Sequence, residues 1–300
     1  MIKHVVEIIF VIYEHTRRFL IQKPNTSIMP VAMMYLVFLL YVLPMNSHIH
    51  TSLYSHRKDT SMKQYLKQFA TSKWFDLLGV VLVVGIAISA GYLNSRLEKF
   101  VDWGPWTALV PFGLISVINV GISMLSTRFT GQLNKWGNYL GIVNTILSGA
   151  IDFILGNKAA IITYPVTFII YTFAIKKWEA SHEGIPNAMN PSQKRLVAGI
   201  ITIIAFTISG VANYIGFSGH MNFLSILTTI VFAFSLIANF FNALKLDTQW
   251  PFWMIYNIVQ LLKAFTQGNF ANVGKYIFYI VNAMGALLFW KDKEKPVAHS

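Results

Sequence analysis

The chain has no cysteine, which excludes disulfides, iron–sulfur clusters and thiolate zinc sites. Charge is scarce. Asp, Glu, Lys and Arg make up 12% of the 300 residues, about half the share usual in soluble domains. Acids are scarcer than bases, 12 against 24, and the net charge is +12. In a soluble chain that excess would point to nucleic acid. Here the basic residues stand in loops between apolar runs, the positive-inside pattern of a membrane protein, so no nucleic-acid partner is expected. The phosphate-cradling pattern G-x-x-x-x-G-K-[ST] is missing, so ATP is not expected to drive work through this chain. The long apolar runs also lack histidine: His4, His15, His48, His50, His56, His182, His220 and His299 all fall outside them. An enzyme at membrane depth needs clustered acids, bases or metal ligands. Only His48, His50 and His56 cluster, without a matched carboxylate. We therefore expect no catalytic residues, no metal and no cofactor. An integral membrane enzyme stays a distant alternative.

What is abundant is apolar surface, 55% of residues, with 15% aromatic. Eight apolar runs follow one another: 75–93, 106–126, 138–155, 159–175, 196–217, 222–242, 251–266 and 270–290. Each is about membrane length for a helix rising about 1.5 Å per residue. The alternation of a closed barrel is absent. The expected fold class is an all-α integral membrane protein.

The N-terminal 1–73 reads as an extension: an interfacial amphipathic helix over 1–22 and a possible extra span over 29–45. Residues 74–292 form the main domain, and 293–300 a tail. Loop charges orient it. One side holds Arg57, Lys58, Lys63, Lys67, Lys73, Arg128, Lys135, Lys176, Lys177, Lys194, Arg195, Lys245, Lys291, Lys293 and Lys295. The other holds Arg96, Lys99 and Lys158. The C-terminus is expected in the cytoplasm.

Residue pairs recur at a fixed offset. Gly156-Asn157 returns as Gly268-Asn269, Tyr164 as Tyr276 and Trp178 as Trp290, each 112 positions on, while Asn144 and Asn257 stand 113 apart. The repeats cover 106–178 and 222–290, three helices each, joined by linker helix 196–217. A single connecting helix between odd units makes them parallel repeats, a 3+1+3 bundle with leading N-terminal helices. Repeat-built transporters hold substrate at the repeat interface.

Within the second repeat lies QWPFWMIYNIVQ, 249–260. Trp250, Trp253, Asn257 and Gln260 fall on one helix face. Carboxamides gather on a membrane helix when the face meets protein or a cavity. Other polar faces are Ser116/Asn119/Ser123/Ser126, Gly141/Asn144/Thr145/Ser148, Tyr164/Thr167/Tyr171, Ser225/Thr228/Ser235/Asn239/Asn242 and Tyr276/Tyr279/Asn282. Such residues also glue helices together, and Trp250, which starts its helix, could be an interface anchor or a gate. Asp152 is the only acid deep in a run, a coupling or structural group. Lys263 and Lys275 stand near helix ends, where lysines snorkel to the interface. With no cluster of fixed positive charge in sight, the expected ligand is dephosphorylated. Indoles suit a flat, preferably cationic ring. Amides suit sugar hydroxyls or an amide.

The Q-W-x-x-W-x-x-x-N pattern, Gln249, Trp250, Trp253 and Asn257, resembles the tryptophan motif of the PnuC-type vitamin transporters. Segments 136–157 (WGNYLGIVNTILSGAIDFILGN) and 279–290 (YIVNAMGALLFW) are similar to that family as well, and the likeness covers about 74–292. The resemblance implies a SWEET-like bundle and facilitated uptake of nicotinamide riboside across the cell membrane. Phosphorylation inside then traps the substrate and feeds NAD biosynthesis. It implies substrate contacts at Trp253 and Asn257, with Trp250 and Gln249 nearby and Tyr279 and Asn282 on the last helix. The stripes add Gln260 and Asn144. Deoxynucleosides or thiamine remain alternative cargoes. The expected partners are a small molecule and the lipid bilayer, and oligomeric state is left open.

Overall fold

The computed structural model describes residues 72–293, residue 183 excepted, together with residue 68. The expected helix 1–22, the possible span 29–45 and the histidines at 48, 50 and 56 lie outside the described residues. Among these residues there are eight α-helices, one for each apolar run: α1 (Lys73–Ser89), α2 (Phe112–Gly131), α3 (Trp136–Ile154), α4 (Ala160–Glu179), α5 (Pro191–Gly216), α6 (Phe223–Ala243), α7 (Gln249–Thr266) and α8 (Phe270–Lys293).

Capping chemistry sets several ends. The Ser72 hydroxyl accepts from the Phe75 amide at the start of α1. Asn190 caps α5 ahead of Pro191, and Asn222 with Ser225 forms a reciprocal capping box on α6. The run read as 106–126 is displaced. Pro105 opens a short 3-10 turn, Pro105–Leu109, and Pro111 stands at the N-cap of α2. The helix therefore starts at Phe112, because proline is tolerated at a helix start and not within it.

Two turns occur twice. Leu133 and Lys245 are both left-handed, at φ 62 and 57, and Gly156 and Gly268 likewise, at φ 95 and 63. Each pair is 112 positions apart. The hydrogen bonds follow the same offset: Asn134 N to Phe129 O and Leu246 N to Phe241 O, then Asn157 N to Asp152 O and Asn269 N to Ala264 O. Leucine and lysine pay steric strain for that conformation, glycine does not. The α2–α3 and α6–α7 turns thus share one geometry, and so do the α3–α4 and α7–α8 turns.

Neighbours in sequence pack together within α2–α4 and within α6–α8. α4 also packs on α6, and α8 on α2 and α1. α5 lies against α6 along its small residues Ala198, Ala205, Ser209 and Ala212, and exposes Ile200, Ile203, Ile204 and Val211. Large apolar side chains face outward on α1, α2 and α4 too, while Asn, Ser, Thr, Lys and Asp are buried. Lipid-facing apolar surface around a polar interior is the inverse of a soluble fold. Five helices, α2, α4, α5, α6 and α8, are long and apolar enough to cross a membrane. The two middle helices, α3 and α7, carry more polar residues. This is a multi-pass, all-helical membrane protein.

Candidate functional site: a polar cavity between two helix groups

The polar faces of α2–α4 and α6–α8 converge on one cavity of about 130 Å³. A single buried water needs only about 10–15 Å³, so this is room for an organic ligand. The lining obeys the offset of the turns. Ser116 faces it with Thr228, Ser123 with Ser235, Thr145 with Asn257, Ser148 with Gln260, Asn157 with Asn269 and Tyr164 with Tyr276, each pair 112 apart. The counterpart of Asn257 is therefore Thr145, one residue on from Asn144. Asn144 pairs instead with Tyr256, and both line the cavity.

One wall is aromatic. Trp253 meets Tyr256 edge-on at 5.0 Å between ring centres, Tyr256 meets Tyr276 at 6.2 Å, and Tyr276 meets Tyr279 at 6.1 Å. Gly141 and Gly149 on α3 seat Tyr171 and Tyr164 on the other side, where a Cβ would stand 2.4 and 2.9 Å from the rings. Some amides are used up internally. Asn119 Nδ2 donates to Ser148 Oγ, which donates to Asn144 Oδ1. Gln260 Nε2 donates to Tyr256. Tyr279 donates to Ser123. Other polar atoms are open: among the described residues Asn239 Oδ1, Asn242 Oδ1, Asn257 Oδ1 and Trp250 Nε1 are buried without a hydrogen-bond partner, and all four residues line the cavity. Unsatisfied buried groups are costly, about 1–3 kcal/mol each, and cluster where a ligand completes them.

Three indoles pack together at one end, and Trp250 of the three lines the cavity. Trp178 Nε1 on α4 donates to Asn242 O at the end of α6, and Trp290 Nε1 on α8 donates to Gly131 O at the end of α2. Each group thus clasps the other. The two rings lie 5.9 Å apart, and Trp250 stands edge-on to Trp290 at 5.7 Å. Trp250 is 1% exposed, so it is no surface anchor.

The opposite end holds charge. Asp152 accepts from Lys263 Nζ at 2.6 Å, Asn157 Nδ2 at 2.6 Å, Gln267 Nε2 at 2.8 Å and Tyr164 at 3.1 Å. Its carboxylate ties α3 and α4 to α7. Lys263 is 2% and Lys275 4% exposed, and both line the cavity. The expectation that they snorkel is wrong, because neighbouring helices cover the helix ends. With it falls the premise that no fixed positive charge faces the ligand.

Of the sequence-selected residues, Trp250, Trp253, Asn257, Gln260, Tyr279 and Asn144 come together around the cavity. Gln249 stands behind the wall. Its Nε2 donates to Leu246 O and its Oε1 accepts from Trp253 Nε1 at 3.3 Å, so it orients an indole. Asn282 is outside the lining. Its Oδ1 accepts from Arg128 Nη1 at 3.0 Å, and Arg128 Nε pairs with Asp76 Oδ1 at 2.5 Å, a latch between α1, α2 and α8. Sequence reasoning missed Tyr256, Gln267 and the lysines as lining. The signal for Lys263 was present: Asp152 needed a cation at similar depth, and both stand in the last turn of their helices, α7 and α3.

An inside-out helical bundle around a ligand-sized polar cavity defines a membrane transporter. A family model described as "Nicotinamide mononucleotide transporter" matches residues 113–292, and the chain belongs to that family. The crystal structure of the vitamin B3 transporter PnuC superimposes with a TM-score of 0.55 at 10% identity, over 74% of this chain and 92% of that one. At that identity the likeness speaks for the fold. No curated protein matches by sequence.

Proposed function

We propose that the protein carries out facilitated uptake of nicotinamide riboside across the cell membrane, with phosphorylation inside the cell trapping the product. One observation carries this reading. The aromatic chain Trp253–Tyr256–Tyr276–Tyr279 runs beside the amide oxygens of Asn239, Asn242 and Asn257, which have no partner among the described residues, in a single cavity. Ring faces suit a flat pyridinium, and open amide oxygens accept from ribose hydroxyls or from a carboxamide N–H. Membership of a family described by a nicotinamide nucleotide supports a cargo that carries the nicotinamide ring, and the choice of the riboside is our own.

The architecture we propose is the 3+1+3 parallel-repeat arrangement, α2–α4 and α6–α8 joined by α5, with α1 leading. It is supported by the duplicated turns and the paired lining. We assign the indole end to the cytoplasm with the C-terminus, an orientation supported by Lys176, Lys177, Lys194, Arg195, Lys245, Lys291 and Lys293 near it. Substrate contacts are assigned to Trp253, Asn257, Trp250, Gln260, Tyr279 and Asn144.

The test is uptake of labelled nicotinamide riboside into proteoliposomes without ATP. It should saturate, and Trp253→Ala should abolish it. Unlabelled deoxycytidine or thiamine should not compete. Competition by either would transfer the assignment to that cargo, and uptake unchanged in Trp253→Ala would remove the aromatic wall from the mechanism.

A further inference from the structure

The six helices that line the cavity pack in a closed ring: α2, α3, α4, α6, α7, α8 and back to α2. In that ring α3 and α7 stand opposite one another, and they share no packed face. Their C-terminal ends are joined all the same. Lys263 Nζ donates to Asp152 Oδ2 at 2.6 Å, and Gln267 Nε2 reaches Asp152 Oδ1 at 2.8 Å and Leu155 O at 3.2 Å. Asp152, Lys263 and Gln267 all line the cavity, so these bonds cross its end from side to side. The indole end is built otherwise. There the opposite helices α4 and α8 meet through the rings of Trp178 and Trp290, and the indole N–H groups donate to carbonyls of ring neighbours, Asn242 on α6 and Gly131 on α2. The polar crossbar is suited to parting. When Lys263 and Gln267 leave, Asp152 keeps two donors from its own helix group, Asn157 Nδ2 at 2.6 Å and Tyr164 at 3.1 Å. An ion pair buried in protein gains little over the same two ions in water, because desolvation offsets the attraction. Water entering at the helix ends therefore replaces the crossing bonds at small cost, whereas parting the indoles would expose apolar surface. The repeat does not require the bar: the positions 112 away from Asp152, Lys263 and Gln267 hold Ala264, Ile151 and Leu155.

We propose that Asp152, Lys263 and Gln267 form the gate at this end of the cavity, and that Lys263 and Gln267 must leave Asp152 for a ligand to pass. The inference rests on reading the chain as a transporter whose cargo occupies this cavity, and it holds for any cargo. Asp152 is the fixed half of the gate, anchored to α4 by Tyr164. Lys263 and Gln267 are the half that moves away with α7. The same pair that holds the two helix groups together thus opens the path between them.

The test uses the lack of native cysteine. Thr145→Cys places one thiol in the cavity. Ala205→Cys places one outside it, on the face of α5 buried against α6. Each is read on the purified full chain as the rate of reaction with a charged thiosulfonate, which tracks the open population. Asp152→Asn, Lys263→Met and Gln267→Leu together delete the crossing bonds and keep the bulk of the side chains. They should raise the rate at Thr145→Cys by about tenfold or more and leave that at Ala205→Cys within about twofold. For passage itself, Asp152→Cys with Lys263→Cys is joined by a short bifunctional thiosulfonate in proteoliposomes. Uptake of labelled nicotinamide riboside should stop on joining and return on reduction. Labelling rates that rise at both thiols, or at neither, overturn the gate, and so does uptake that survives joining. If the riboside does not enter even with the unaltered chain, the cargo assignment fails, and the labelling rates, which need no ligand, still decide the gate.

Discussion

Helices α2–α4 and α6–α8 make the same two turns, with left-handed residues and hydrogen bonds 112 positions apart, yet they contribute different chemistry to the space between them. Ile151 faces Lys263 across the repeat, Asp152 faces Ala264, and Thr163 faces Lys275. Every charge in the cavity sits at a position where the two groups disagree. The backbone frame holds because its turns are fixed by φ and by main-chain hydrogen bonds, which tolerate side-chain change. The lining is free to diverge because each side chain projects into the cavity and not into a packed interface. A symmetric cavity would hold an asymmetric ligand equally well in two orientations. The charged end and the indole end remove that degeneracy.

The sharpest way to break the comparison is to remove one charge from the group that gained it. Lys263→Met leaves Asp152 buried with only neutral donors. Breaking a buried pair from one side costs about 3–5 kcal/mol, so the thermal midpoint in detergent should fall steeply. Adding Asp152→Asn should recover most of the loss, since replacing both partners is often close to neutral. If the double variant is no more stable than the single, the pair has no structural role and Asp152 is held by its neutral donors alone.

Much of this was legible in sequence. All eight apolar runs became helices, and the recurring pairs Gly156-Asn157/Gly268-Asn269, Tyr164/Tyr276 and Trp178/Trp290 stand at the offset that the duplicated turns share. Trp253, Asn257, Gln260 and Asn144, selected by their period on a helix face, all line the cavity, because a polar stripe in an apolar run has few reasons to exist. What failed had a physical cause. Asn282 belongs to a stripe, yet its amide serves Arg128, which comes from a helix 154 residues earlier; periodicity gives a face and not its partner. Lys263 and Lys275 were misjudged because depth was counted along their own helices, while the covering neighbours are remote in sequence. The one-residue slip that paired Asn144 with Asn257 arose because identical residue types were matched. Of the two turns that set the true offset, the α3–α4 and α7–α8 pair shares its Gly-Asn dipeptide, while the α2–α3 and α6–α7 pair, 132–135 against 244–247, shares no residue at matching positions.

That slip gives a second, smaller test. Thr145 and Asn257 are counterparts by geometry, but Thr145 donates to Gly141 O at 2.7 Å within its own helix, whereas Asn257 Oδ1 has no partner. Asn257→Ala should weaken riboside binding by about tenfold, the value of one buried hydrogen bond to ligand of about 1.4 kcal/mol. Thr145→Val should change it by less than about threefold. Equal losses in calorimetric titrations would mean that the ligand reads the two groups symmetrically, contrary to the charge asymmetry.

The smallest effect probes what the two groups share. Trp178 and Trp290 are 112 apart, and each indole donates across the bundle to the last turn of the other group's first helix. Replacing either by Phe keeps a ring in the core and deletes one hydrogen bond, leaving a buried carbonyl short of a donor. The expected cost is about 1–2 kcal/mol for each variant. The two losses should be alike if the clasp is as two-fold as the turns are. They should also add in the double variant by less than their sum, because the rings lie 5.9 Å apart and share one packing environment. Trp250 stands edge-on to Trp290 and is not paired with Trp178 by any ring contact, so Trp290→Phe should in addition alter uptake while Trp178→Phe should leave it nearer the wild-type rate. Midpoints that differ by more than about 2 kcal/mol would place the clasp, like the charges, among the features in which the two groups have parted.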